Sequence, residues 1–363
     1  MRKLLACLAV FICLLGVTAC AQYFPEPRNN QNSNKVVVLT PFPDACAHEL
    51  ARAFTAKTGI EVEEILDSTT KILARLRIEK RSPRGDVWFS GGGCIPFMTA
   101  AEEDLLAPYA PPPIKDMPIY RGSLTMRDPQ WRWSPLAVVS QGFCYNPQVL
   151  KPSEIPKTWD ELADPKWQGQ IEMWDPSDSG TSMLFLAGTL QRYIKRNGDE
   201  KAGWEYLKKI FHNLKRYTRE GKPAFSVARG DTCIGLHFEN QYLEFLDQQR
   251  GDKQLDQVQA NIAWYLPPES TVLADGIALI KGCPHPENGR KFIDFCLSHE
   301  GQKIINRYFF SIDPDLPPPQ GLMGITFETL MDQAQELDLP WMSANYDRIR
   351  KQWQNEVEAG AEQ

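Results

Sequence analysis

The residues best able to do chemistry gather where strands give way to helices. In "MWDPSDSGTSMLFLAGTL", from Met173, a short strand-like segment ends at Trp174-Asp175-Pro176. An apolar-faced helix then opens behind Ser177, Asp178, Ser179, Gly180, Thr181 and Ser182. Ser, Thr and Asp oxygens at a helix start accept bonds from N–H groups that lack an intrahelical partner, and one cap is enough for that. The surplus of hydroxyls beside free N–H groups and the positive end of a helix dipole is what an anion pocket needs. The pattern recurs upstream: "DSTT", Asp67 to Thr70, opens a helix, Ser90 leads into Gly91, Gly92 and Gly93, and Thr40-Pro41 closes the first strand. Capping alone accounts for "DSTT" and "SDSGTS" as well as capping plus ligand contact does, and tight helix-strand packing accounts for the glycines. There is no GxSxG elbow, HExxH pair or cofactor fingerprint, and Ser179 has no base that spacing identifies. The chain is therefore expected to be no enzyme, with no catalytic residues and no cofactor. His237, in an apolar alternation, reads first as a core histidine; with Glu239 it supplies two acceptable metal ligands, but two without a third make no site.

The elements that must position these residues follow a clear rhythm. "KVVVLTPFP" from Lys35 reads as a buried strand, and "DACAHELARAFTAKTG" as a helix with Cys46, Leu50, Ala53 and Phe54 on one face, ended by Gly59. "IEVEEIL" is a second strand, "KILARLRIEK" a helix, and "GDVWFSGGG" a third strand before the helix "CIPFMTAAEEDL". This β-α-β-α-β-α order predicts an α/β protein with a parallel sheet and helices on its faces. Ligands of open α/β sheets sit at the carboxyl ends of strands, so topology alone brings "LTPF", "DSTT" and "SGGG" to one edge. Extended stretches near Trp133 to Gln141 and near Tyr265 to Leu273 read as crossings between two halves. "TCIGLHF" alternates as a strand and "ENQYLEFL" turns helical. The amphipathic tail after Met323 is expected to pack on the first lobe.

The ends and the composition place the protein. "MRKLLACLAVFICLLGVTAC" has a basic start, an apolar run and a small-residue exit, the pattern of a bacterial secretory signal. Its exit, "VTAC", resembles a lipobox, with Cys20 acylated as the mature N-terminus. The Pro/Asn/Gln-rich residues 21–34 then read as a flexible tether. The rest of the 363-residue chain suffices for two lobes and contains no further apolar run of membrane-spanning length. A net charge of −6 argues against a general nucleic-acid binder. Six cysteines follow Cys20: Cys46, Cys94, Cys144, Cys233, Cys283 and Cys296. Export permits up to three disulfides of unread connectivity, and no spacing suits a structural metal.

The ordered phrases "GDVWFSGGG", "LLAPY", "GFCYNPQVL", "KTWDELADPKWQGQI", "DPSDSGTS", "VARGDTCIG", "ADGIALIKG" and "PENGRKFIDFCLSHEGQ" resemble the iron(III)/phosphonate/hexose-phosphate branch of bacterial ABC-transporter substrate-binding proteins. The resemblance runs from about Lys35 to Leu322. It implies a type 2 periplasmic-binding-protein-like fold, with residues 35–137 and 271–363 in lobe 1 and 138–270 in lobe 2, each a sheet flanked by helices. It further implies a monomer, anchored by lipid at the periplasm or cell surface, that carries a small anionic ligand to ABC permease subunits. Ferric binders of the branch use adjacent tyrosines; here His237, Phe238, Glu239 and Asn240 stand at the corresponding strand with a lone Tyr242, and Tyr308 precedes Phe309. An oxyanion such as a phosphosugar or phosphonate suits this chain better. Thr40, Ser68, Thr69, Thr70, Gly91 and Gly92 from one lobe would clamp it with Ser177, Ser179, Gly180 and Thr181 from the other. His237, Glu239 and Asp275 would read the rest of the ligand, although Asp275 also suits a bond to the hinge backbone. One of Trp88, Trp131, Trp133, Trp159 and Trp174 can stack on a ligand, the others serving as core or rim. Cys46 and Cys94, near the expected site, can bond to each other or remain buried thiols. Ferric transport, partnership with a membrane receptor, and hydrolysis on the same fold are the competing functions.

Overall fold

The structure, a computed structural model, describes residues 34–41, 45–218, 222–251, 259–322 and 324–359. The signal peptide expected over residues 1–20, the acylated Cys20 and the tether up to residue 33 lie outside the described residues.

Val36, Val37, Val38 and Leu39 are all buried, so β1 (Lys35–Pro41) is apolar on both faces, as a central parallel strand must be. It pairs in parallel with β2 (Glu61–Asp67) on one side and β3 (Val87–Phe89) on the other. The crossover helices are α1 (Ala45–Thr58) and α2 (Thr69–Ile78), and α3 (Ile95–Glu102) follows β3. Next come β4 (Leu106–Ala107) and a small hairpin of β5 (Tyr120–Arg121) and β6 (Leu124–Thr125).

The fully buried β7 (Ser134–Tyr145) joins two sheets. Its partner through Ser134–Ser140 is the antiparallel β12 (Val272–Ile280), which also borders β3 and β4. From Gln141 to Tyr145 it pairs instead with β10 (Ile234–Phe238), and through Phe143–Tyr145 with β11 (Ala263–Tyr265). The strand order β2-β1-β3-β12-β7 thus builds one lobe, and β7-β10-β8-β9 the other, with β8 (Ile171–Trp174) and β9 (Leu214–Thr218) parallel. Around the second sheet lie α4 (Gly180–Asn197), α5 (Lys201–Asn213), α6 (Pro223–Ala228) and α7 (Glu239–Arg250). The architecture is a two-lobed α/β fold with mixed sheets flanked by helices; antiparallel β7 and β12 make mixed what the first three strands alone would leave parallel.

The chain closes with α8 (Pro286–Leu297), α9 (His299–Ile305), α10 (Phe327–Gln333) and α11 (Leu339–Gln352), then a π-helical turn at Trp353–Glu358. Phe54 of α1 meets Phe292 of α8 edge-on at 5.2 Å, which ties the returning chain to the first lobe. The tail, expected on the first lobe, packs there through α11 on α3 and also reaches the other lobe, with α11 against α4 and the π-helical turn against α5. Its apolar stripe has two partners, which amphipathicity alone does not announce. Cys94 is a fully buried free thiol, so it has no bond to Cys46, and burial pushes it up to about 12. No helix among the described residues is long and apolar enough to cross a membrane.

Candidate functional site

Asp175 sets the entry to α4. Its side-chain Oδ1 accepts from Ser177 N–H at 2.8 Å, and its carbonyl accepts from Asp178 and Ser179 at 3.1 and 2.9 Å. Ser179 is the N-cap, its Oγ accepting from Ser182 N–H at 3.3 Å and its carbonyl from Met183 N–H at 3.0 Å. Gly180 and Thr181 are left as the first-turn donors without an acceptor in their own helix. Across the cleft α2 repeats the arrangement: Ser68 Oγ accepts from Lys71 N–H at 3.3 Å, and the Ser68 carbonyl takes Ile72 N–H at 2.8 Å. Thr69 and Thr70 are the corresponding first-turn donors.

Asp275 organises the glycine turn between β3 and α3. Its Oδ1 accepts from Gly91, Gly93 and Gly276 N–H at 3.0, 3.0 and 2.8 Å, and its Oδ2 takes the Ser90 hydroxyl at 2.5 Å. Burial raises its carboxyl above the usual range while these four donors pull it back down. The network holds Ser90 at φ 59°, a left-handed conformation rare for a residue with a side chain. Gly92, at φ 70°, keeps its N–H outside that network and faces the other lobe. A Cβ at Gly92 would stand 3.0 Å from Thr181 N, so the two turns meet closely only because one offers bare backbone.

Between these turns lies a cavity of about 100 Å³. Of the ligand contacts read from the sequence, Thr69, Gly92, Trp174, Ser179, Gly180, Thr181 and Asp275 line it, Trp174 being the one of the five candidate tryptophans that does. The others lie beside or behind it. Thr40 is buried next to the lining Pro41, and its hydroxyl finds no partner among the described residues. Ser68 Oγ reaches Asp178 Oδ1 of the opposite lobe at 3.5 Å, and the Ser177 hydroxyl accepts from Gln354 Nε2 at 2.8 Å. Gly91 gives its N–H to Asp275, and Thr70 stands one residue past the lining Thr69.

His237 and Glu239 are both wholly buried away from the lining. The His237 Nδ1–H donates to the Phe238 carbonyl at 2.6 Å, Nε2 lies 3.1 Å from Cys144 Sγ, and Trp264 stands 5.2 Å away. Burial lowers its pKa to about 4, so the ring is neutral. Glu239 Oε2 accepts from the Ser140 amide and hydroxyl at 2.6 and 2.9 Å, at the point where β7 changes partner sheet, and burial pushes its carboxyl up to about 8.

The far wall holds residues that sequence reasoning missed. Lys222 forms an ion pair with Glu244, whose other oxygen accepts from Gln248 Nε2 at 2.8 Å. Asn240 and Gln241 line the cavity with them, and Gln241 Oε1 accepts from the Trp174 indole at 3.1 Å. Asn240, Gln241 and Glu244 share one stripe of α7 at helical spacing, a signal available in "ENQYLEFL". Among the described residues no tyrosine lines the cavity: Tyr242 accepts from Gln259 at 2.8 Å, and Tyr308 donates to Glu49 and Asp247 at 2.9 and 3.1 Å. Among the described residues no group of three or more His, Cys, Asp or Glu is placed to hold a metal ion.

Known proteins share this architecture. A Salmonella typhimurium periplasmic protein named for 2-aminoethylphosphonate binding is 28% identical over 268 residues, covering 70% of this chain and 69% of its own. The periplasmic binding protein AfuA from Actinobacillus pleuropneumoniae, solved with fructose-6-phosphate, superposes with a TM-score of 0.73 at 25% identity, over 89% of this chain and 98% of that one. A ferric binding protein from Campylobacter jejuni has the same fold, with a TM-score of 0.72 at 19% identity over 88% and 98% of the two chains. All three are named as binding proteins, and together they represent the iron/phosphonate/hexose-phosphate branch. The model of the bacterial extracellular solute-binding protein family matches residues 96–331, and with a fold and cleft of this kind the chain belongs to that family.

Proposed function

We propose that the protein is the lipid-anchored, periplasmic or surface-exposed binding component of an ABC importer, and that a small oxyanionic solute, a phosphonate or a phosphorylated sugar or acid, is its ligand. The observation that carries this reading is the convergence of two helix starts and a glycine turn, from opposite lobes, on one cavity. Thr69, Gly92, Gly180 and Thr181 supply amide or hydroxyl donors, an arrangement suited to anionic oxygens. Lys222, Glu244, Asn240 and Gln241, on the far wall, suit the remainder of the ligand, since they offer both donors and acceptors to hydroxyls or an amine.

In this reading residues 35–137 with 271–363 form one lobe, save that the final helix and turn reach across to the other, residues 138–270 form that other lobe, and Cys20 carries the lipid. The monomer closes on its ligand by hinge motion about β7 and the chain leading into β12, then docks on the permease. Ferric coordination by phenolates is disfavoured by the absence of a lining tyrosine among the described residues. A thermal-shift screen followed by calorimetry tests the assignment, with 2-aminoethylphosphonate, fructose-6-phosphate, phosphoglycerate, inorganic phosphate, spermidine and ferric citrate as probes. Stabilisation by a phosphorus oxyanion is expected; stabilisation by ferric citrate or spermidine alone would overturn it.

A further inference from the structure

The tail past Asp338 follows the first lobe in sequence, yet its firmest attachments are to the second. Gln191 of α4 exchanges two hydrogen bonds with the Asp338 backbone, at 2.7 and 2.8 Å, where α11 begins. Arg348 grips Glu200 with its two terminal guanidinium nitrogens, at 2.7 and 2.8 Å, at the start of α5. Trp353 is wholly buried: its ring meets Phe211 of α5 edge-on at 5.6 Å, and its Nε1 donates to Tyr217 of β9 at 2.9 Å. The Tyr217 hydroxyl in turn donates to Glu358 at 2.6 Å. Gln354 then reaches Ser177 at 2.8 Å, in the loop that leads into the first turn of α4.

Against the first lobe the same segment makes looser polar contacts. Ser343 and Thr99 share a hydroxyl hydrogen bond at 3.0 Å, and the Ser343 hydroxyl lies 3.4 Å from Glu102. Asp347 lies 3.6 Å from Arg77, whose guanidinium is engaged by Glu103 at 2.6 Å. The Arg77–Asp347 and Arg348–Glu200 pairs are both partly exposed and contribute little by themselves, whereas the wholly buried Trp353, with its indole hydrogen bond to Tyr217, anchors the tail to the second lobe. If one face of the tail separates when the cleft opens, it is the face on α3.

We propose that Leu339–Glu358 is a strap carried by the second lobe. Through Gln354 and Ser177 it positions the loop that presents the Gly180 and Thr181 amides, and through Ser343 and Thr99 it catches the first lobe when the cleft shuts. None of its residues lines the cavity, so Gln354 is a positioning residue and not a ligand contact. The proposal rests on the reading of a hinged cleft.

The test uses the full chain carrying Thr99→Cys with Ser343→Cys, the new disulfide being verified by mass, and needs no ligand. The neighbouring hydroxyls place two thiols within reach of a bond. The ligand-free oxidised protein is expected to scatter X-rays with the radius of gyration of the structure, and the reduced protein with a larger one. Oxidised and reduced samples that are both expanded would show the tail travelling with the first lobe and overturn the strap. Samples that are both as compact as the structure would overturn the hinged cleft and the strap with it.

Two further variants keep the idea exposed if the disulfide does not form. Ser343→Tyr, wedged against α3, is expected to enlarge the ligand-free protein; an unchanged radius counts against a separable face. Gln354→Ala is expected to speed amide hydrogen exchange at residues 177–181 about tenfold, and adding Ser177→Ala is expected to speed it no further. Exchange left at the wild-type rate by Gln354→Ala would remove the positioning role.

Discussion

A Cβ built on Gly180 would stand 2.5 Å from the carbonyl oxygen of Gly91, in the opposite lobe. Backbone meets backbone there, so no side chain can swing aside to make room. Gly180→Ala is therefore expected to hold the lobes apart and weaken ligand binding about tenfold or more. Alanine is the better helix former at this first helical position, so thermal stability of the ligand-free protein should be kept or raised. Calorimetry with the probe selected by the thermal-shift screen and a melting curve without it check both halves. A Gly180→Ala protein that binds as tightly as wild type would mean that the two turns need not meet.

Thr181 contributes an amide and a hydroxyl at the start of α4, and Ser179 caps the same turn. Thr181→Ala with Ser179→Ala is expected to weaken binding at least about tenfold, from the loss of two hydroxyls beside a charged ligand. Ser179→Ala alone is expected to cost about 1 kcal/mol of stability, because the Ser182 amide loses its acceptor. Thr181→Ser, which keeps the hydroxyl, should restore most of the affinity. Unchanged affinity in the double variant would remove these hydroxyls from the cradle.

Asp275 gathers four donors that fix the turn from Ser90 to Gly93. Asn in its place can keep Oδ1 on the three amides, but a neutral oxygen holds them less strongly than a carboxylate, and its NH2 stands where Oδ2 accepts the Ser90 hydroxyl. Asp275→Asn is expected to lower unfolding stability by about 3 kcal/mol and to weaken binding as Gly92 loses its fixed position. Urea unfolding curves measure the first effect. A variant as stable as wild type would show that the turn holds its own shape.

These outcomes separate what sequence can disclose from what it cannot. Ser68 and Ser179 are legible as caps because the bond that defines a cap spans three residues. The strands β1, β2 and β3 are legible for a similar reason, since apolar runs bounded by turn residues are local features. Strand β9 is missed because α5 runs into it at Leu214 with no glycine or proline between them. The Lys222–Glu244 pair is missed because its partners, 22 positions apart, meet only after α6, β10 and α7 have packed. Ser177 and Glu239 resemble cleft residues by type and place, yet their groups are engaged by Gln354 and Ser140, 177 and 99 positions away. Sequence discloses which groups can serve a ligand; long-range packing decides which stay available for one.

The buried pair behind the site should shape stability from both sides of neutrality. Glu239 has a pKa of about 8 in the folded protein against 4.5 for the ordinary carboxyl, so folding takes up a proton between these values. Its contribution to stability is full below pH 4.5 and is lost as pH rises through about 8. His237 runs the other way: its pKa falls from 6.5 to about 4, so its contribution is full above pH 6.5 and is lost as pH falls through about 4. Glu239→Gln, which cannot ionise but can still accept from Ser140, is expected to flatten the alkaline decline and to be relatively more stable at pH 9 than at pH 6. His237→Gln is expected to flatten the acid decline and leave the alkaline one as it was. Melting temperatures of both variants and wild type across pH 4 to 9 decide the matter. Parallel curves for Glu239→Gln and wild type would mean that the carboxyl beside Ser140 stays ionised in the folded protein.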